Sequence, residues 1–529
     1  MLHHSFVFFK SRVFSFWIIV AFQIGCTNKG GNTDLITTLE ESHSLEESHE
    51  LAINHCGSCH LFPVPELLDK KTWQNNVLPQ MSLHMGIFFD GHHYRPQIPN
   101  AVFEKDAISN LAKKLQLYPD SSVVRLEEWL AIEKFYLSKA PQQLSSIDRD
   151  RPTGKLNFAV SSVPFRFSNS YSSVSFVEFD DQRGIIYLGD KRTKSLYILD
   201  KNFNQLDQIE TGSVPIKVIA KGEDLYILTM GTFEAAAESK GKLILYKEGK
   251  KEALIENLNR PVDFLMTNFM ESGTPEFLIA EFGSLTGGLN LYFKNLEEFS
   301  KREIYKGAGT LQLMEKDLNQ DGKLEIVALI AHGEEVLVNF AHSGNGVFER
   351  KTLIQMPPVY GSSFFTFEDI NGNGKEELLY VNGDNADLSP ILKPYHGVRI
   401  FEDIDGVYKQ NHFLPVNGAY KVIAHDFNDD GLKDLAVVSF FPDFHKYPEE
   451  GFIVFEQKEG GSFSPIVLPM IKESRWIDIV LADLDGNGRK EILLAAHLLS
   501  QAADIPNSLR SLWAQKRHAL IKISFEDID

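Results

Sequence analysis

A nine-residue pattern occurs four times in the second half of the chain, and its spacing restricts the fold more than any other feature of the sequence. The copies are Asp317-Leu318-Asn319-Gln320-Asp321-Gly322-Lys323-Leu324-Glu325, Asp369-Ile370-Asn371-Gly372-Asn373-Gly374-Lys375-Glu376-Glu377, Asp426-Phe427-Asn428-Asp429-Asp430-Gly431-Leu432-Lys433-Asp434 and Asp483-Leu484-Asp485-Gly486-Asn487-Gly488-Arg489-Lys490-Glu491. They begin 52, 57 and 57 residues apart, a period that holds four short strands with their turns, the length of a β-propeller blade. Strand-like apolar runs flank the loops: 311–315, 325–331, 335–340 and 350–355 around the first copy, and 420–425, 435–440, 451–456 and 462–468 around the third. Three degenerate copies upstream, near Asp180, Asp224 and Asn268, keep the strands and lose the oxygen ligands. The expectation is an all-β, seven-bladed propeller over 155–529 with complete loops in blades four to seven. The last blade offers only three good strands, ending at 519–525, so its outer strand is expected from 155–160, closing the ring.

Each complete loop gathers side-chain oxygens at positions 1, 3, 5 and 9, with glycine at 6 for a sharp turn. The arrangement resembles the start of an EF-hand loop, although closure comes at position 9 rather than 12 and strands replace the flanking helices. Calcium, about four ions in a stabilising role, is therefore expected on Asp317, Asn319, Asp321 and Glu325, on Asp369, Asn371, Asn373 and Glu377, on Asp426, Asn428, Asp430 and Asp434, and on Asp483, Asp485, Asn487 and Glu491. The plainer alternative is an Asx-rich turn without an ion.

The chain has only three cysteines, Cys26, Cys56 and Cys59. The last two form Cys56-Gly57-Ser58-Cys59-His60, the spacing of covalent c-type haem attachment, with two thioether cysteines and an adjacent axial histidine. A redox dithiol would want a βαβ context and a zinc site would want a second ligand pair, and the sequence offers neither. A small all-α cytochrome c domain is expected over 46–141: a helix at 46–60 carrying the motif at its end, a second at 73–81, and a third at 123–138 stopped by Pro141, with Val123, Leu126, Leu130 and Phe135 along one face. The segment Leu78-Pro79-Gln80-Met81 resembles the Leu-Pro-x-Met stretch of short bacterial cytochrome c domains and implies Met81 as the distal iron ligand, with Met85 and His84 as alternatives.

Residues 1–25 read as a signal peptide: Lys10 and Arg12 precede an apolar run, 13–24, too short to span a bilayer comfortably. Ile24-Gly25-Cys26 resembles a bacterial lipobox, which implies lipidation at Cys26, a polar linker over 26–45, and a lipid anchor as the sole membrane contact. The implied location is the bacterial cell envelope, at the outer membrane facing periplasm or surface. With 72 acidic against 53 basic residues the net charge is −19, which disfavours nucleic acid as a partner.

The second half resembles FG-GAP/VCBS-type repeat propellers, and the whole chain resembles bacterial lipoproteins with a c-type cytochrome domain ahead of such a propeller. The loops join first and second strands, so the opposite face carries the second-to-third and inter-blade connections, longest at 382–396, 441–450 and 500–518. The first holds Asp384, Asn385, Asp387, Lys393, Tyr395 and His396, and inter-blade connections add Arg260, Arg475 and Trp476. Such groups at one mouth suit a polar ligand such as a carbohydrate, with Trp476 as a stacking face; alternatively they only brace long crossovers. Electron transfer with a redox partner protein, the propeller serving as binding module, fits these features best. The rivals are an oxidoreductase acting on a sugar or alcohol with the cytochrome as acceptor, for which no flavin, dinucleotide or nucleophile motif is present, and a surface adhesion protein.

Overall fold

The structure is a computed structural model and describes residues 43–147, 157–167, 171–233, 238–270, 273–296, 298–344, 346–385, 390–498 and 504–526. The leader over 1–25, Cys26, nearly all of the linker and Asp387 lie outside the described residues.

Six four-stranded antiparallel sheets follow one another in simple up-and-down order over 174–210, 215–258, 261–306, 310–355, 362–415 and 419–467. The seventh joins Trp476–Ala482, Glu491–Ala496 and Leu520–Glu526 to Asn157–Ser162, which pairs antiparallel with Leu520–Glu526 from Asn157↔Glu526 to Ser162↔Ile521. This is the expected ring closure, and the described strand runs to Ser162, two residues past the expected end at 160. The second strand of each of the last four blades is buried throughout, as in Glu325–Ile330 and Asp434–Ser439. Outer strands such as Phe348–Gln355 face solvent on most positions. Continuous apolar runs therefore mark strands covered on both faces, and the core lies between sheets. Between blades six and seven, for example, Trp476 packs with Val438, Val454, Leu494 and Ile523.

The first strands touch one another around the axis, and all seven carry a β-bulge near their start, as between Thr310 and Gln312 or Trp476 and Asp478. A bulge re-aims the side chains beside it. Here it turns one polar residue per blade toward the neighbouring sheet. Ser175 donates to the Pro215 carbonyl, Lys217 pairs with Asp263, and Asp263 accepts from the Leu313 amide at 2.7 Å. Gln312 exchanges two bonds with the backbone of Phe365 at 2.9 and 3.0 Å, and Ser363 donates to the Ala419 carbonyl at 3.2 Å. Lys421 pairs with Asp478 at 2.7 Å, and Asp478 accepts from the Val177 amide at 2.9 Å, which returns to blade one. Each of the seven junctions thus has its own polar clasp.

The N-terminal part is helical. Leu45–Cys56, opened by a Ser44–Glu47 capping box, packs against Leu126–Lys139. A continuous helix runs from Lys70–Thr72 through a wide turn at Trp73–Val77 into Leu78–His84. Two boundaries differ from expectation. The first helix stops at Cys56, so Cys59 and His60 lie in the turn beyond it. The third begins at Leu126, and Val123, expected on its buried face, is exposed while its amide bonds to Met85. The helix Ala107–Lys114 and the helix Asn507–Lys516 within the last blade went unread in the sequence.

Asp478 serves two junctions at once, so Asp478→Ala should lower stability by about 2–4 kcal/mol, with urea unfolding as the measurement. Glu178 sits on the same axis between these pairs. Its carboxyl is pushed up to about 7, chiefly by burial, with Lys217 and Lys421 pulling it down and Asp478 and Asp263 pushing it up. Because the folded value lies above the ordinary glutamate value of 4.5, the protonated form favours folding, and that contribution is lost as pH rises through about 7. Glu178→Gln should melt above the parent at about pH 8 and lose this advantage below 4.5; a difference independent of pH would refute the assignment.

Candidate metal loops and a candidate haem motif

The four complete loops share one internal bonding scheme. The first aspartate accepts from the amide at position 6: Gly322 to Asp317 at 2.9 Å, Gly374 to Asp369 at 2.9 Å, Gly431 to Asp426 at 2.8 Å and Gly488 to Asp483 at 3.2 Å. The oxygen at position 3 accepts from the amide at position 5, from Asn319 to Asp321 in the first loop and from Asp485 to Asn487 in the last. The carboxylate at position 9 caps the amide at position 2, Glu325 to Leu318 at 2.7 Å and Glu491 to Leu484 at 2.9 Å, with Glu377 and Asp434 doing likewise. Backbone amides thus aim the oxygens inward before any ion arrives. Position 4 as well as position 6 has positive φ, and in two loops a non-glycine, Gln320 or Asp429, occupies it. In the first loop the carboxylates of Asp317, Asp321 and Glu325 come within 4.8 Å of one another, the spacing of a cation site. In the third, burial above all, together with Asp430 and Asp426, pushes Asp434 up to about 7, a repulsion that a bound cation would relieve.

The degenerate blades lack this geometry. Blade one has a turn in which Asp180 caps Arg183, and blade two joins its strands directly from Lys221 to Asp224. Among the described residues of its loop, blade three retains the terminal carboxylate, Glu276, which accepts from the Met270 amide.

In the helical part, Cys56 is half-buried in an apolar cluster with Phe62, Trp73, Tyr136, Met81 and Met85, and Cys59 is exposed. Burial pushes the Cys56 thiol up to about 11. His60 Nδ1 lies 3.1 Å from the Leu61 carbonyl oxygen; a proton on Nδ1 would bridge the two and would leave Nε2 as the nitrogen available to a metal. Desolvation first, and the charge of His60 second, lower the pKa of His84, whose ring meets Tyr118 edge-on. Met81, Met85 and His84 therefore all stand near the motif, and the geometry does not choose among them. Ile53, Leu61 and Val64, which flank it, are exposed.

The proposed ligand loop has a different use. Asn385, Lys393 and His396 are buried, Lys393 donates to Asn385 at 2.7 Å, and Asn385 donates to the Ile391 carbonyl. Tyr395 stacks on Tyr360 at 4.5 Å and donates to the Leu67 carbonyl of the helical part at 2.9 Å. Val359 and Ile391 pack on the helical core. The loop therefore braces the crossover and seats the helical part on blade five, on the face opposite the Asx loops. Asp384 bonds to Gly361 through its backbone, and Arg260 donates to the carbonyls of Gly283 and Phe233. Trp476 offers no stacking face: it is fully buried and its indole donates to the Ile471 carbonyl. These loops are the longest because they carry neighbours, a role that polar composition does not distinguish from a ligand mouth.

Residues 317–380 and 412–494 match the FG-GAP-like repeat, which spans all four complete loops. The chain is a seven-bladed β-propeller protein carrying FG-GAP-like repeats, preceded by a helical N-terminal region. No curated protein matches it. Among solved structures it is similar to BBS1N in complex with ARL6DN, at 12% identity and a TM-score of 0.39 over 69% of this chain and 97% of that one. It is also similar to a luciferin-regenerating enzyme, at 9% identity and a TM-score of 0.37 over 70% of this chain and 98% of that one.

Calcium should raise the melting temperature of chelator-stripped protein, and Asp317→Ala combined with Asp321→Ala should remove one bound ion, measured by calorimetry. Melting unmoved by calcium would leave the loops as metal-free turns.

Proposed function

We propose that this chain is an exported electron-transfer protein of the bacterial cell envelope, anchored by a lipid on Cys26, with the calcium-stabilised propeller as its partner- or ligand-binding module. The observation that carries the reading is the placement of the Cys56-Gly57-Ser58-Cys59-His60 motif beside an apolar cluster that contains the Cys56 thiol and the two methionines Met81 and Met85. The surrounding chemistry fits a haem: the exposed Ile53, Leu61 and Val64 offer apolar surface that a porphyrin would cover.

When bound, the group would supply a one-electron couple. The protein's share is to hold and orient. Cys56 and Cys59 would tether the group, His60 would ligate the iron, and Met81, by the resemblance of Leu78-Pro79-Gln80-Met81 to the Leu-Pro-x-Met segment, would be the distal ligand. Tyr136 donates to the Pro63 carbonyl at 2.9 Å and Trp73 to the Pro65 carbonyl at 2.8 Å, which fixes the turn after the motif against Leu126–Lys139. Docking on blade five through Tyr395 would hold this region at a set orientation to the propeller, so a partner bound there would meet the haem region in one geometry.

The test is expression in a host that matures c-type cytochromes, followed by denaturing electrophoresis with haem staining. The parent should keep its haem under denaturation and Cys56→Ala with Cys59→Ala should lose it. Met81→His should lower the reduction potential. A folded parent without covalent haem would end the proposal.

A further inference from the structure

Three arginines on the face opposite the Asx loops lie against aromatic rings, and in two of them both terminal Nη groups have hydrogen-bond partners. Arg399 rests on Phe413 at 4.3 Å and Tyr360 at 5.0 Å while its guanidinium donates to Asn382 and to the Tyr395 carbonyl. Arg260 rests on Phe282 and donates to two carbonyls. These show how the fold satisfies a structural arginine.

Arg475 breaks that pattern. It enters blade seven at 1% exposure, with its guanidinium 3.6 Å from the Phe440 ring centre, 5.1 Å from Phe441 and 5.6 Å from Phe444. Nε donates to the Phe440 carbonyl at 2.9 Å, but Nη1 and Nη2 are buried without a hydrogen-bond partner. The neighbouring Ser474 hydroxyl is buried and unpartnered too. Burial lowers the pKa of Arg475 to about 9, and the next contribution is the charge of another cation, Arg510. A buried cation beside a second cation, with four N–H bonds unmade, is an arrangement short of an anion.

We propose that Arg475 is the anchor of a binding site for the carboxylate of a small organic acid. The two Nη groups form a planar fork that matches the two oxygens of a carboxylate. The Phe440 and Phe441 rings supply an apolar wall and exclude water. A phosphate would want more donors than this aromatic cage provides. The cover is Phe444, which meets Trp513 of Asn507–Lys516 at 5.9 Å within a cluster that includes Ile505 and Leu509. Entry requires that contact to open. This site deepens the reading of the propeller as a binding module and rests on it, and it lies on the same face as the blade-five dock.

The test titrates the full mature protein with acetate, benzoate and galacturonate by calorimetry, with phosphate and chloride as controls. At least one carboxylate should bind saturably and Arg475→Gln should weaken it by about tenfold or more. If Arg475→Gln fails to fold by circular dichroism, Arg475→Lys keeps the charge without the fork and should show the same loss, and Arg510→Gln a smaller one. Binding of phosphate alone, absence of carboxylate binding, or unchanged affinity in Arg475→Lys would each overturn the proposal. Haem loading is measured separately by staining, so failure of the electron-transfer reading and failure of this site are distinguishable.

Discussion

The structure depends on polar clasps between first strands. A propeller's sheets touch mainly through apolar faces, and apolar contact alone does not fix the angle between neighbours. At each junction one polar side chain beside the bulge reaches the next blade, from Ser175 on Pro215 around to Asp478 on the Val177 amide. These bonds are directional and partly buried, so leaving one unmade is costly. They set the spacing between sheets, and the apolar clusters fill the space so defined. The final clasp and the pairing of Asn157–Ser162 with Leu520–Glu526 act at the same junction region from inside and outside.

Much of this was legible because blade length leaves a strong trace. Copies of Asp-x-Asn/Asp-x-Asp/Asn-Gly locate a turn between two strands, and continuous apolar runs locate the second strand. The clasps were not legible: Ser175, Lys217, Gln312 and Ser363 follow no single residue type, only a position relative to a bulge, and a bulge leaves no reliable mark in the sequence. The closing strand was found by arithmetic, from the absence of a fourth strand in blade seven, and its end was placed two residues short. The boundary error at Val123 arose because an apolar residue spaced like a helix face can instead pair its backbone in a loop, as it does with Met85.

The site residues divide along a physical line. Motif residues with fixed internal spacing in the Asx loops share one local bonding scheme because local backbone sets it, whereas at Cys56 to His60 the helix ends earlier than expected. Residues chosen for polarity on long loops share no such scheme. Tyr395, Lys393 and Trp476 are consumed by contacts with chain distant in sequence, and no local signal distinguishes a braced loop from an open one. Arg475, chosen for the same reason, differs in that both Nη groups of its fork are buried and unmatched.

Closing a ring with the strand that enters it first has a consequence in time. Ser161 lies against the carbonyl of Lys522, 361 positions later, so blade seven stays incomplete until nearly the whole chain has left the ribosome. The helical region, whose contacts are local, reaches its fold long before. It then waits, tethered by the stretch before Asn157, until blade five exists to receive it at Tyr395. The cysteine motif is thus already shaped while the propeller is still open, an order of assembly imposed by connectivity alone.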